Sequence, residues 1–326
     1  TGGVLMPPIM GATAFVMAEF LGLPYIYIIA AAILPSILYY LGLFIQVDAY
    51  AARTGLKGLP KEECPSFKRT MREGWFYIIA IIFLIYLLVY ERREAQAPFI
   101  ATGLLVALSM ISKETRLTRT SSLQLFEGTG RVLSELVAIL CVIGFIVGSL
   151  GMTGVGHAFS SEIIALAGGN AVLLIILGAV VSFILGMGMT VTACYVFLAI
   201  VLAPALVRIG FYPLGVHLFV MYCGMLSYIT PPVALGAYAG ASLAGAPPMK
   251  TGFQAMRLGI VLFFLPFFFV LNPALVLHGS ALEIVHAFFT CAIGMTLVAG
   301  AMEGYLVGVG NLKTMFRPLA AISGSL

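Results

Sequence analysis

The chain has 326 residues, 61% of them hydrophobic and 9% charged, with a formal net charge of +4. Soluble domains average about 25% charged residues, so the composition excludes a soluble enzyme or binding module. The small charge surplus leaves no footprint for nucleic acid. Long continuous apolar runs, rather than segments of about ten alternating residues, make this an all-α integral membrane protein.

The first apolar segment, 4–21, is broken at its start by Pro7 and Pro8. Adjacent prolines remove backbone donors and clash with the preceding turn, so a helix stops there. A span over 25–45 follows, then a polar stretch over 46–74 that carries Arg53, Lys57, Lys61, Lys68, Arg69 and Arg72. Spans are expected over 75–90, 98–112 and 131–150, with polar 113–130 between the last two. Segments 171–185 and 193–207 are each too short for a comfortable crossing. They are joined by Gly186, Met187, Gly188, Met189 and Thr190. This reads as a re-entrant hairpin with its tip near the bilayer middle, or as two short tilted helices. Segment 216–244 is interrupted by Pro231 and Pro232, and spans over 251–271 and 281–301 close the pattern. The chain opens at Thr1 inside an apolar pattern and 312–326 starts another segment. Both ends read as cuts in a longer protein. The five cysteines are scattered, four of them in apolar segments. They read as small buried hydrophobes, with neither disulfide nor metal implied.

Cytoplasmic segments carry an excess of Lys and Arg. Placing 46–74 and 113–130 inside puts all of the 17 basic residues except Arg92, Arg93 and Arg208 on that side. This count requires the hairpin to enter and leave on one face. It also runs the two broken helices in opposite directions, as inverted-topology repeats require. From Pro8 to Gly22, and from Pro232 to Gly245, is about 20 Å of helix, which sets both breaks near the midplane. The regions are then 1–45, closing a first repeat; 46–74, a cytoplasmic loop; 75–150, scaffold spans; 157–245, the second-repeat hairpin and broken helix; and 251–326, terminal spans.

Broken backbone survives in hydrocarbon only when it is buried in protein or lines a polar cavity. Around the second break, freed carbonyls join the hydroxyls of Ser227 and Thr230. The hairpin tip adds the Gly186 and Gly188 carbonyls with Thr190 and Thr192. Carbonyls and hydroxyls without a carboxylate suit a weakly held monovalent cation. Helix starts near Val191 and Val233 direct positive dipole ends at the same region, which suits an anionic substrate. The alternative is a pair of kinks re-satisfied by Ser and Thr. Glu19 reads as a solvated or paired outer acid, Arg131 and Glu135 as a structural i,i+4 pair, and His217, His278 and His286 show no ligand spacing. Asp48 is the only aspartate and no Walker motif occurs, so an intramembrane aspartyl dyad and direct ATP use are excluded. No catalytic residues, cofactor or transition-metal site are expected.

Four motifs carry a resemblance over nearly the whole chain. They are Thr1-Gly2-Gly3 with Met6-Pro7-Pro8 and Met10-Gly11-Ala12; Ala18-Glu19-Phe20 with Gly22 and Pro24-Tyr25; Gly186-Met187-Gly188 with Thr190 and Thr192-Ala193; and Ile229-Thr230-Pro231-Pro232-Val233-Ala234-Leu235-Gly236 through Ala239. Together these resemble the large (DctM-like) permease subunit of tripartite ATP-independent periplasmic (TRAP) transporters, of the fused type that works with TAXI binding proteins. The resemblance implies an inverted-repeat, elevator-type Na⁺ symporter of the bacterial inner membrane. Its Na⁺ would lie at Gly186, Gly188, Thr190, Ser227, Thr230 and Val233, and at Gly3, Met6 and Ile9 of the first break. Substrate would sit between them, against Thr192, Pro231, Pro232, Pro7 and Pro8. The implied partners are a periplasmic substrate-binding protein, a small membrane subunit, the lipid bilayer and a small organic anion such as a dicarboxylate or amino acid. Relatives of the sialic-acid type carry a glycine where this chain has Ser227. The first hairpin would precede Thr1. The competing readings are a binding-protein-independent Na⁺/anion symporter and a non-transporting channel or scaffold.

Overall fold

A computed structural model describes the chain except residues 1, 9, 59, 61–62, 65, 92–95, 112–114, 188, 307–309, 312–323 and 325–326. At several further positions between 135 and 160, and at 311, only the backbone is described. The chain forms two compact units, Thr1–Leu56 with Ile143–Leu326, and Lys57–Val142.

The larger unit is built on α11 (Pro213–Met225), in which every residue from Leu214 to Met225 is buried. A helix apolar on all sides belongs in a protein interior. Around it pack α2 (Ala12–Leu21), α8 (Ala171–Gly186), α9 (Val191–Val201), α10 (Ala203–Arg208) and α14 (Val261–Leu271). The expected arm 193–207 divides at Leu202 because Pro204 lies in the first turn of α10, where it cannot continue the α9 hydrogen-bond ladder. Outside this layer α3 (Tyr25–Thr54) packs on α15 (Ala281–Glu303), and Gly42 of α3 meets the Val261 side chain of α14. A capping box from Ser280 and Glu283 starts α15. The remaining helices here are α1 (Gly2–Leu5), α7 (Val155–Leu166), α12 (Leu235–Ala244) and α13 (Pro248–Leu258).

The smaller unit holds α4 (Phe67–Val89) packed on α5 (Ala97–Ser109). Buried Phe76, Ala80, Leu87 and Leu88 form one face of α4, while Tyr77, Ile78, Ile82 and Ile85 are exposed. A long helix with an exposed apolar face fits a lipid environment. The last long helix, α6 (Arg119–Thr153), begins in this unit and ends in the other. The polar stretch 113–130 is therefore helical from Arg119 on. Its Ser, Thr and Glu residues do not prevent a helix. Thr118 and Ser121 cap its start reciprocally, through backbone N–H bonds of 2.7 and 3.3 Å. Arg131 pairs with Glu127 at 3.4 Å; the side chain of Glu135 lies outside the described residues.

Among the described residues, four helical stretches are long and apolar enough to cross a membrane: Tyr25–Thr54, Phe67–Val89, Pro248–Leu271 and Ala281–Glu303. They contain the spans expected over 25–45, 75–90, 251–271 and 281–301. The segment at 98–112 is a shorter apolar helix, Ala97–Ser109.

Candidate functional site

The two proline pairs sit in closely similar local structures. Both Pro7-Pro8 and Pro231-Pro232 are cis. Each is followed by a helix of ten residues, α2 or α12. Each helix ends in a left-handed glycine, Gly22 or Gly245. Beyond each glycine the next N–H bonds back into the last turn, Leu23 to the Ala18 carbonyl at 3.0 Å and Ala246 to the Ala241 carbonyl at 2.9 Å, a Schellman closure. In each, a tyrosine hydroxyl donates to the carbonyl of the second proline at 2.8 Å, Tyr25 to Pro8 and Tyr238 to Pro232. In each, another hydroxyl caps a carbonyl just upstream: Ser36 donates to Leu5 at 2.6 Å and Thr230 to Leu226 at 2.8 Å. Carbonyls at each break thus receive side-chain hydroxyl donors.

At the second break a short 3₁₀ turn, Leu226–Tyr228, continues α11. The break then extends through Ala234, which takes a left-handed conformation at φ 34°. Val233 is half-buried and non-helical, and α12 starts two residues later than the sequence suggests. A ten-residue helix spans about 15 Å, half of a hydrocarbon core about 30 Å thick.

Ser227, fully buried, joins this break to the end of α8. Its hydroxyl donates to the Gly186 carbonyl at 2.8 Å and to the Gly224 carbonyl at 3.0 Å. A Cβ on Gly186 would collide with the Gly224 carbonyl, and one on Gly224 would lie 2.9 Å from Cys194 Sγ. Glycine is therefore required for α8 and α11 to approach this closely. The result is a cluster of backbone and hydroxyl oxygens around Ser227, with Thr230 one turn on. A hydroxyl that donates one proton keeps lone pairs for a cation. Among the described residues, no three His, Cys, Asp or Glu side chains gather as metal ligands.

Residues 187–190 connect α8 to α9. The Thr190 hydroxyl caps α9 by accepting from the Ala193 N–H at 3.3 Å. Thr192 reaches the first break: its hydroxyl lies 2.9 Å from that of Thr13, and both are buried. Each threonine is the second residue of its helix, so the N-terminal ends of α2 and α9 meet at this pair. Gly3 is exposed in α1, Met6 is 43% exposed, Pro7, Pro8 and Pro231 are half-buried, and Pro232 is exposed. Gly188 and Ile9 lie outside the described residues.

Thr13, Tyr25, Ser36, Gly224 and Tyr238 carry no site role in the sequence reading. One available signal was the shared position of Thr13 and Thr192 just inside a helix start. His217 is also drawn in, with its Nδ1 2.6 Å from the Tyr195 hydroxyl, both side chains buried. This ties α9 to α11. Glu19 is exposed on α2.

The family model described as the tripartite ATP-independent periplasmic transporter, DctM component, matches residues 1–284. The chain belongs to this family. No curated protein matches the chain. It is accordingly the permease component of a TRAP-type secondary transporter and not an enzyme. Family membership also implies association with a periplasmic binding protein and a small membrane subunit.

The threonine pair of the permease gives a direct test of contact between α2, which follows the first break, and α9. Thr13→Val or Thr192→Val alone strands one buried hydroxyl, at a cost of about 1–3 kcal/mol. Each single variant is expected to melt earlier than the parent in thermal unfolding of purified protein. The double variant removes both partners and should recover at least half of the loss. Additive losses would show that the two hydroxyls do not interact.

Proposed function

We propose that this permease couples the inward movement of a small organic anion, a dicarboxylate or amino acid, to Na⁺, with one cation held at the second break. The observation that carries the reading is Ser227. Its hydroxyl lies within 2.8 and 3.0 Å of two carbonyl oxygens and joins the α8 end to the broken helix, beside Thr230. Neutral oxygens of this kind bind a monovalent ion weakly enough to release it. The matching chemistry of the first break supports a second cation near Gly3, Met6 and Ile9. The α2 and α9 N-terminal ends at Thr13 and Thr192 favour an anion between the two breaks, near Pro7, Pro8, Pro231 and Pro232.

In this reading the substrate is delivered by a periplasmic binding protein of the TAXI type, with the small subunit fused to the permease. The protein lies in a bacterial inner membrane with 46–74 and 113–130 cytoplasmic. The helices 171–186 and 191–201 form a re-entrant hairpin that moves with the broken helix in an elevator-type transition.

The test is uptake by proteoliposomes holding the transport-competent complex that contains this chain. Uptake of labelled dicarboxylates or amino acids should require both an inward Na⁺ gradient and the binding protein. Equal rates with K⁺ in place of Na⁺ remove the cation assignment. Uptake of free substrate without binding protein favours the independent symporter.

A further inference from the structure

Glu303 ends α15 with its side chain fully buried. Its Oε2 lies 3.4 Å from Arg53 Nη2 of α3 and 3.3 Å from Arg257 Nη2 of α13. Arg53 Nη1 also donates to the Glu303 backbone carbonyl at 2.8 Å, and Gln46 Nε2 donates to the Arg257 carbonyl at 2.9 Å. The Tyr50 ring lies 5.7 Å from both guanidinium carbons. Three buried atoms of this joint, Glu303 Oε1, Gln46 Oε1 and Arg257 Nε, have no hydrogen-bond partner among the described residues. Arg53 and Arg257 keep 30% and 26% of their side chains exposed, so the cost falls on the buried Glu303 carboxylate, and a joint that leaves buried polar atoms unpaired returns little stability for that desolvation. What such a cluster can supply is a fixed geometry.

The geometry it fixes is that of α13. A Cβ on Gly252 of this helix would sit 2.9 Å from Pro231 Cγ, and one on Gly259, which closes the helix, would collide with the Ile229 side chain. The second break therefore rests on α13 backbone at two places, on either side of Arg257 and within seven residues. Displacing Arg257 moves the surface on which Ile229 and Pro231 sit.

We propose that the Arg53–Glu303–Arg257 joint is a positioning element for the second break, holding α13 so that the carbonyls around Ser227 and Thr230 keep their cation-binding arrangement. The cation part of this inference rests on the function proposed above. Glu303→Gln preserves shape and removes both ion pairs. In the reconstituted complex it should accelerate hydrogen exchange of the Ile229, Thr230 and Ala234 amides, which bond within the break. It should also raise the Na⁺ concentration for half-maximal uptake by roughly fivefold, with the maximal rate little changed. Glu303→Asp, which keeps the charge, should recover most of both effects. Arg257→Lys, which keeps the charge but loses the planar fork, gives a smaller shift of the same kind and serves if Glu303→Gln does not assemble.

Unchanged exchange at those amides in a folded variant overturns the proposal. So does an unchanged Na⁺ half-saturation when Ser227→Ala has shown that the parent depends on that site. If exchange accelerates in a protein whose uptake never responded to Na⁺, positioning by the joint is upheld and the cation reading alone fails.

Discussion

Gly186→Ala is expected to lower uptake by about a hundredfold, the scale of loss when reacting or binding groups are displaced by 1 Å. The added methyl would meet the Gly224 carbonyl, which is backbone and cannot rotate away. Separating α8 from α11 to admit it costs about 1–3 kcal/mol of overpacking and carries the Gly186 carbonyl away from Ser227. The protein should still purify as a folded species, because the cost is smaller than a domain's total stability. Gly103→Ala is the control: open space surrounds that position in α5, and uptake should be unchanged. Normal uptake by Gly186→Ala would show that the contact between α8 and α11 is not part of the transport machinery.

Ser227→Ala is expected to raise the Na⁺ concentration for half-maximal uptake by about tenfold, equivalent to ~1.4 kcal/mol. That lies within the cost of losing one hydrogen-bonding oxygen from a buried site. Ser182→Ala separates cation binding from plain loss of a hydrogen bond. Ser182 is buried in α8 and donates to the Gly178 carbonyl at 2.7 Å, so its removal should reduce thermal stability and leave the Na⁺ response intact. If both variants shift the Na⁺ response equally, Ser227 acts only through packing.

The chain's apolar runs and proline pairs made the helical membrane fold and the two breaks legible, because adjacent prolines remove two backbone donors and clash with the preceding turn. Ser227 and Gly186 read from the sequence as candidate cation oxygens, and the structure joins them by a 2.8 Å hydrogen bond that the sequence did not foretell. Length was less legible. Pro204 ends α9 early, and the left-handed Ala234 delays α12, and neither follows from hydropathy. The Glu303 joint was hidden because its members stand at positions 46, 50, 53, 257 and 303, each of which reads alone as an ordinary residue near a helix end. The Thr13–Thr192 contact was hidden by a separation of 179 residues. Periodicity carries no information about which helix ends meet.

The hydroxyl clamps on the two breaks differ in reach, and this bears on how the chain is made. Tyr25 and Ser36 clamp the first break from 17 and 31 residues downstream. At the second break, Thr230, Tyr238 and the Ser227 bond to Gly224 reach no further than six residues. Short loops close sooner and at lower entropic cost than long ones. During synthesis these local hydroxyl bonds of the second break can therefore close almost as soon as Tyr238 is added, while its contacts with α13 await residues 252–259. The first lacks its Ser36 bond until α3 has been built as far as that residue.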